Sequence, residues 1–192
     1  MWQEDIYKLL RDTNTSDFVL KSIHGSKVFP VHRIILSARS NVFRSMFASA
    51  TDTIGEAIVE DIDNDTLEEL IHFLYTGSLS GSKCDIISLC YAANKYELPS
   101  LMNLVCLKLR SMKLDVTQIA NLFIASEILS NEELFVIAKD RLTESLWEKG
   151  TSVEDLIKRT VQVPMVLGKI KASREDFAKE ELNRKILKAT VN

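Results

Sequence analysis

The chain has 192 residues and a formal net charge of −3, with 46% hydrophobic and 27% charged residues. That balance suits a folded globular protein and excludes an extended disordered chain or a strongly basic nucleic-acid binder. No apolar run reaches the roughly 18 residues that a bilayer crossing needs, so no membrane partner is expected.

The length accommodates one large domain, or one domain with an appendage. Six glycines and three prolines are few. The scarcity favours helices over a barrel or sandwich with many tight turns. Cys84, Cys90 and Cys106 are odd in number and form no CxxC pair. They read as reduced core thiols of an intracellular protein, in the cytoplasm, the nucleus or both. The acidic, amphipathic start MWQEDIYKLLRD is unlike a signal peptide.

Trp2, Ile6, Leu9 and Leu10 fall at helical spacing. A helix this short is marginal alone and needs a surface to dock on. After the polar break Thr13–Ser16, the residues Phe18, Val19, Leu20 and Ile23 predict a strand. The turn His24–Lys27 leads to a return strand with Val28, Phe29 and Val31, and Pro30 places it at a sheet edge or strand end. Ile34, Ile35, Leu36 and Ala38 begin a short helix. Ser40 or Asn41 can cap the next, whose apolar face holds Val42, Phe43, Met46 and Phe47.

Residues 48–56 read as loop and Ala57–Ile62 as a short strand. The run Asp65-Thr66-Leu67-Glu68 predicts a helix capped by Asp65, with Leu67, Leu70, Ile71 and Leu74 facing inward and Gly77 as its stop. From Cys84 onward helix follows helix. Ile86, Leu89, Ala92, Leu101, Val105 and Leu109 recur as Ile119, Leu122, Ala125, Leu134, Ala138 and Leu142, each 33 residues later. Both a true repeat and chance similarity of two helix pairs produce such an echo. Asp115 with Gln118, and Ser130 with Glu133, are capping-box pairs. Residues 151–162 predict another helix, and 173–190 a last charged one.

The order and content of several fragments resemble the BTB (POZ) family over residues 5–112. They are Ser16-Asp17-Phe18-Val19-Leu20, Val31-His32-Arg33-Ile34-Ile35-Leu36, Val42-Phe43-Arg44-Ser45-Met46-Phe47, Phe73-Leu74-Tyr75-Thr76-Gly77 and Ala92-Ala93-Asn94-Lys95-Tyr96. The likeness within the family is to speckle-type POZ and BTB-kelch adaptors. It implies an α+β fold: a small mixed sheet flanked by helices over residues 1–112, then an all-α BACK-like extension over 113–170. Residues 171–192 would form the charged terminal helix. His32 falls where the family keeps a structural histidine.

Two functions follow from the resemblance. The first is homodimerisation, with Trp2, Ile6, Leu9, Leu10, Asp17, Arg33 and Ile34 at the interface. Asp17 and Arg33 match a charged pair at the dimer seam; equally, Asp17 can cap a turn while Arg33 is solvated. The second is binding of cullin-3, the scaffold of a ubiquitin ligase, through Phe47, Thr51, Thr53, Ile54, Tyr96 and Leu122. Here the sequence departs from the family. A hydrophobic residue, any residue and Glu are expected where Thr51-Asp52-Thr53 stands, and Ile54-Gly55-Glu56 fits only three residues later.

Catalytic chemistry is not expected. The chain has no Walker loop, GxGxxG, GxSxG or HExxH. His24 sits in a turn, and His72 has no Cys or Glu at ligand spacing. Cys84 and Cys90 are six residues apart, which is wrong for a CxxC zinc site. The acidic run Glu60–Asp65 lacks the central glycine and distal glutamate of a calcium loop. The expectation is therefore an adaptor without cofactor or metal, whose substrate protein is unknown. The alternative is a BTB oligomerisation scaffold or transcriptional regulator that does not bind cullin. No MATH or kelch domain is visible, so either the chain is a fragment or substrate is read by the helical extension or a second protein.

Overall fold

A computed structural model of the chain describes residues 2–10, 12–22, 27–48, 55–81 and 83–147. The chain divides into two compact units, 1–108 and 109–192. The first holds α1 (Trp2–Leu9), β1 (Phe18–Ser22), β2 (Val28–Val31), α2 (Arg33–Arg39), α3 (Asn41–Ala48), β3 (Glu56–Val59), α4 (Asn64–Thr76), α5 (Ile86–Lys95) and most of α6 (Pro99–Ser111). The second holds the end of α6, then α7 (Val116–Ile128) and α8 (Glu132–Trp147).

The strands form one sheet in the order β2-β1-β3, with β2 antiparallel and β3 parallel to β1. Alternation along β1 buries Phe18, Leu20 and Ser22 on one face. Phe18 and Leu20 join Val31, Leu36, Phe43, Leu67, Leu70, Leu74, Leu89, Leu101 and Val105 in the core of the first unit. Each large apolar side chain so buried contributes roughly 1.5–3 kcal/mol, so this core, not the intrinsic propensity of short elements, holds the unit together. β1 and β3 end together. Ser22 pairs with Val59, the last residue of β3. The expected strand Ala57–Ile62 is therefore shorter and starts one residue earlier. Ile62 lies beyond it and is buried, with its carbonyl accepting from Ser22 Oγ at 2.6 Å.

β2 is an edge strand, as Pro30 required. Pro30 pairs with Val19, whose own N–H turns the other way, to Gly55 O on the β3 side. The ring of Pro30 therefore occupies a position whose backbone faces off the sheet, where no ladder bond is lost.

Helix ends show their causes. α4 is capped by Asp63, which accepts from Thr66 N–H at 2.8 Å, not by Asp65. The buried Ile62 fixes where the chain turns, and Asp63 is the first acceptor after it. Gly77 closes α4 at φ 72°, and a Cβ there would meet the Arg39 guanidinium at 3.0 Å. Both hydrogen bonds of the Asp115–Gln118 capping box are present. At α8 the cap is Asn131, accepting from Leu134 N–H at 3.0 Å, and not Ser130, whose φ of 48° turns it out of capping geometry.

The 33-residue echo extends to the backbone. Glu97 and Ser130 are the two non-glycine residues with positive φ among the described residues. Around them, Tyr96 N–H to Ala92 O, Glu97 N–H to Asn94 O and Leu98 N–H to Ala93 O are matched by Leu129 to Ala125, Ser130 to Glu127 and Asn131 to Ser126. All twelve echoed apolar positions are buried. The predicted helices at 151–162 and 173–190, and the turn with His24, lie outside the described residues.

Candidate interaction surfaces

α1 lies along α4 of its own unit. The Tyr7 ring meets His72 edge-on at 5.9 Å. Ile6 lines a cleft of about 210 Å³ with Ile35, Arg39, Leu74 and Tyr75. Ile6, Leu9 and Leu10 remain only half-buried. Ile34, on the next helix, is 77% exposed. The apolar stripe read from α1 thus docks incompletely within one chain. Trp2 lies in α1, and its side chain falls outside the described residues.

Asp17 and Arg33 come together through the backbone. Asp17 Oδ1 accepts the Arg33 N–H at 2.8 Å. His32, the N-cap residue of α2, makes no side-chain cap bond, so Asp17 supplies the missing acceptor. The Arg33 guanidinium lies instead on two rings, 4.6 Å from the centroid of Phe18 and 5.5 Å from that of Phe47.

His32 is the structural residue expected. It is 7% exposed. Tyr75 Oη lies 2.9 Å from its N–H and 2.8 Å from its Nδ1, and Thr15 Oγ1 lies 2.9 Å from its Nε2. Thr15 donates onward to Asp12 Oδ2 at 2.7 Å. Tyr75 Oη accepts the backbone N–H, which leaves its own hydrogen for Nδ1. Nε2 then carries the ring hydrogen and donates to Thr15. One tautomer satisfies every group. Burial, reinforced by the charge of Asp17, pushes the Tyr75 hydroxyl up to about 12. The network ties the turn before β1 to the start of α2 and the end of α4.

The second surface centres on Phe47, half-buried at the end of α3. A row of rings leads away from it. Phe18 meets Phe47 edge-on at 4.9 Å, Phe43 lies parallel to Phe47 at 6.0 Å, and Phe43 stacks on Tyr96 at 4.6 Å. Tyr96 is only 5% exposed. Its ring therefore backs Phe43, which in turn lies against Phe47, rather than lining an open groove, and burial pushes its hydroxyl up to about 12. Ser40 Oγ donates to Tyr96 O at 2.8 Å and also accepts Phe43 N–H, anchoring α3 against the end of α5. Thr51, Thr53 and Ile54 lie outside the described residues.

Leu122, expected to make contacts, has no exposed surface; it packs inside the second unit. Among the described side chains of α7 and α8, the large apolar ones that are exposed are Ile128 and Val136. The spacing of Phe43 and Phe47 makes their pairing legible in sequence. The parts of Phe18 and Thr15 are not, because their partners lie far along the chain. In the acidic run, Asp61 pairs with Lys95 at 2.5 Å and Asp63 caps α4.

The BTB/POZ domain model matches residues 6–113, more than half of the sequence. The chain belongs to the BTB/POZ domain family. Relatives of this BTB chain include Kelch-like protein 40 of Xenopus tropicalis, 31% identical over 140 residues, covering 72% of this chain and 22% of the relative. Kelch-like protein 40 of Mus musculus is 28% identical over 116 residues, 60% of this chain and 18% of its own length. Kelch-like protein 41b of Danio rerio is 26% identical over 159 residues, 81% and 26% respectively. The chain thus spans about a fifth to a quarter of these relatives. The solved BTB domain of zebrafish PATZ1 shares 20% identity at a TM-score of 0.49, covering 57% of this chain and 89% of that one. The BTB fold here is the three-stranded sheet with its helices, followed by a helical extension that begins with α7 and α8. No helix among the described residues is long and apolar enough to cross a membrane.

Proposed function

We propose that this chain is a non-catalytic adaptor that self-associates through its BTB domain and brings a bound protein to a cullin-3 ubiquitin ligase. The observation that carries the reading is Ile34, largely exposed beside a leading helix whose Ile6, Leu9 and Leu10 are half-covered. Burying one such side chain contributes roughly 1.5–3 kcal/mol, and a two-fold interface counts every contact twice. Trp2, Asp17 and Arg33 belong to the same proposed interface, and Phe47, backed by Phe43 and then Tyr96, to the cullin surface. Membership of the BTB family and similarity to Kelch-like proteins support both parts.

Sedimentation tests self-association. The wild type should be a dimer, and Ile34→Glu or Ile6→Glu with Leu9→Glu a monomer. A monomeric wild type, or dimeric variants, would refute it. Mixing with the cullin-3 N-terminal domain tests the second part; no complex at micromolar concentration would remove it. The departure at Thr51-Asp52-Thr53 favours a second reading, an oligomerisation scaffold or transcriptional regulator without cullin. A dimer that ignores cullin-3 would select it.

A further inference from the structure

We propose that Arg33 is a positioning residue for the Phe47 surface, acting through the rings of Phe18 and Phe47. The proposal rests on the reading that Phe47 meets a partner protein. Arg33 is anchored at its backbone by Asp17, and its guanidinium covers both rings. Phe18 and Phe43, the rings on either side of Phe47, are almost completely buried. Phe47 is thus the only member of the row Phe18–Phe47–Phe43–Tyr96 that is not buried, and it is held on one edge, one face and by one cation. A side chain fixed before binding loses less freedom when a partner covers it.

The planar guanidinium matters as well as the charge. The extended guanidinium comes within 5.5 Å of both ring centroids, whereas a lysine ammonium keeps the charge only as a compact point. Arg33 is half-buried and its side chain makes no hydrogen bond to backbone among the described residues, so its replacement should leave the fold intact, which the far-UV and melting behaviour of the variants checks. Arg33 also belongs to the proposed dimer surface. One residue at the start of α2 therefore bears on both surfaces, and two roles must be separated: a contact at a dimer seam, or a support for Phe47.

The test compares Arg33→Lys and Arg33→Gln with wild type, and Arg44→Lys serves as a control. Arg44 donates from Nε to Ser37 O and shows no ring contact. Aromatic 1H–13C NMR of the full chain should show the Phe47 ring signals moved or broadened in both Arg33 variants and unchanged in the control. Unchanged Phe47 signals in Arg33→Lys would overturn the assignment, and loss of the dimer with those signals intact would make Arg33 a seam contact only. Affinity for the cullin-3 N-terminal domain is then measured in the Ile6→Glu, Leu9→Glu background, where self-association is removed. A loss of about three- to tenfold is expected for Arg33→Lys; unaltered affinity overturns the link to docking. Failure of the wild type to bind that domain would instead defeat the docking reading, while the ring signals still decide what Arg33 does.

Discussion

Glu97 and Ser130 adopt the same left-handed backbone, φ 51° and φ 48°, each at the turn between two helices. Side chains bearing a Cβ are strained there by about 1–2 kcal/mol. Glycine would relieve the strain but lose more freedom on folding. Glu97→Gly and Ser130→Gly should each stabilise the chain by up to about 1 kcal/mol, and Ser130→Val should destabilise it by at least about 1 kcal/mol. Denaturant midpoints measure both. A destabilising glycine at either turn would contradict the assigned conformation.

Tyr75 serves two groups of His32 with one oxygen. Tyr75→Phe removes the acceptor of a buried N–H and the partner of Nδ1 while leaving the ring in place. The expected cost is about 1–3 kcal/mol. Thr15→Val should cost far less, because Thr15 is exposed and water can take its place at Nε2. Equal costs for the two substitutions would show that the buried end of the network is not the stronger one.

The start of α4 offers a direct comparison of two acidic residues two positions apart. Asp63→Ala removes the bond to Thr66 N–H and should cost about 1 kcal/mol. Asp65→Ala loses only a favourable charge in the first turn, a few tenths of a kcal/mol. Thermal melts of the pair decide it, and the reverse order would restore Asp65 as the cap.

Stability should fall in alkali. Burial raises Cys90 from 9.0 to about 12, and Tyr75 and Tyr96 from 10.0 to about 12. Between those limits the unfolded chain releases protons that the folded chain keeps, so the balance shifts towards unfolding. Below pH ~9 these groups are protonated in both states and have no effect. From there to pH ~12 each removes roughly 1 kcal/mol per pH unit once its unfolded value is passed. Urea midpoints at rising pH should decline first with Cys90 and then more steeply as the tyrosines join. A flat profile up to pH ~11 would mean that these groups are not buried as described.

The element order was legible because each element carries its own local signal. Gly77 after an apolar helix, Pro30 in an edge strand and Asp115 with Gln118 each act within a few residues. What was missed depends on distant partners. The length of β3 is set by where β1 stops, and the choice of Asp63 over Asp65 by the burial of Ile62 beneath Ser22. The placement of the Arg33 guanidinium is set by Phe18 and Phe47, and nothing near Arg33 in the sequence announces it. The resemblance points to the helix that carries Leu122 as a contact surface, but it does not say which face of that helix is open, and Leu122 lies on the buried one.

The outward-facing Pro30 carries a further consequence for a chain built to meet other chains. An incoming strand laid along β2 would find a pyrrolidine ring where its carbonyl needs an N–H, so strand addition is disfavoured on that edge of the sheet, β3 being the other. A companion that meets the β2 flank is therefore chosen by the shape and identity of side chains rather than by a shared ladder of backbone bonds.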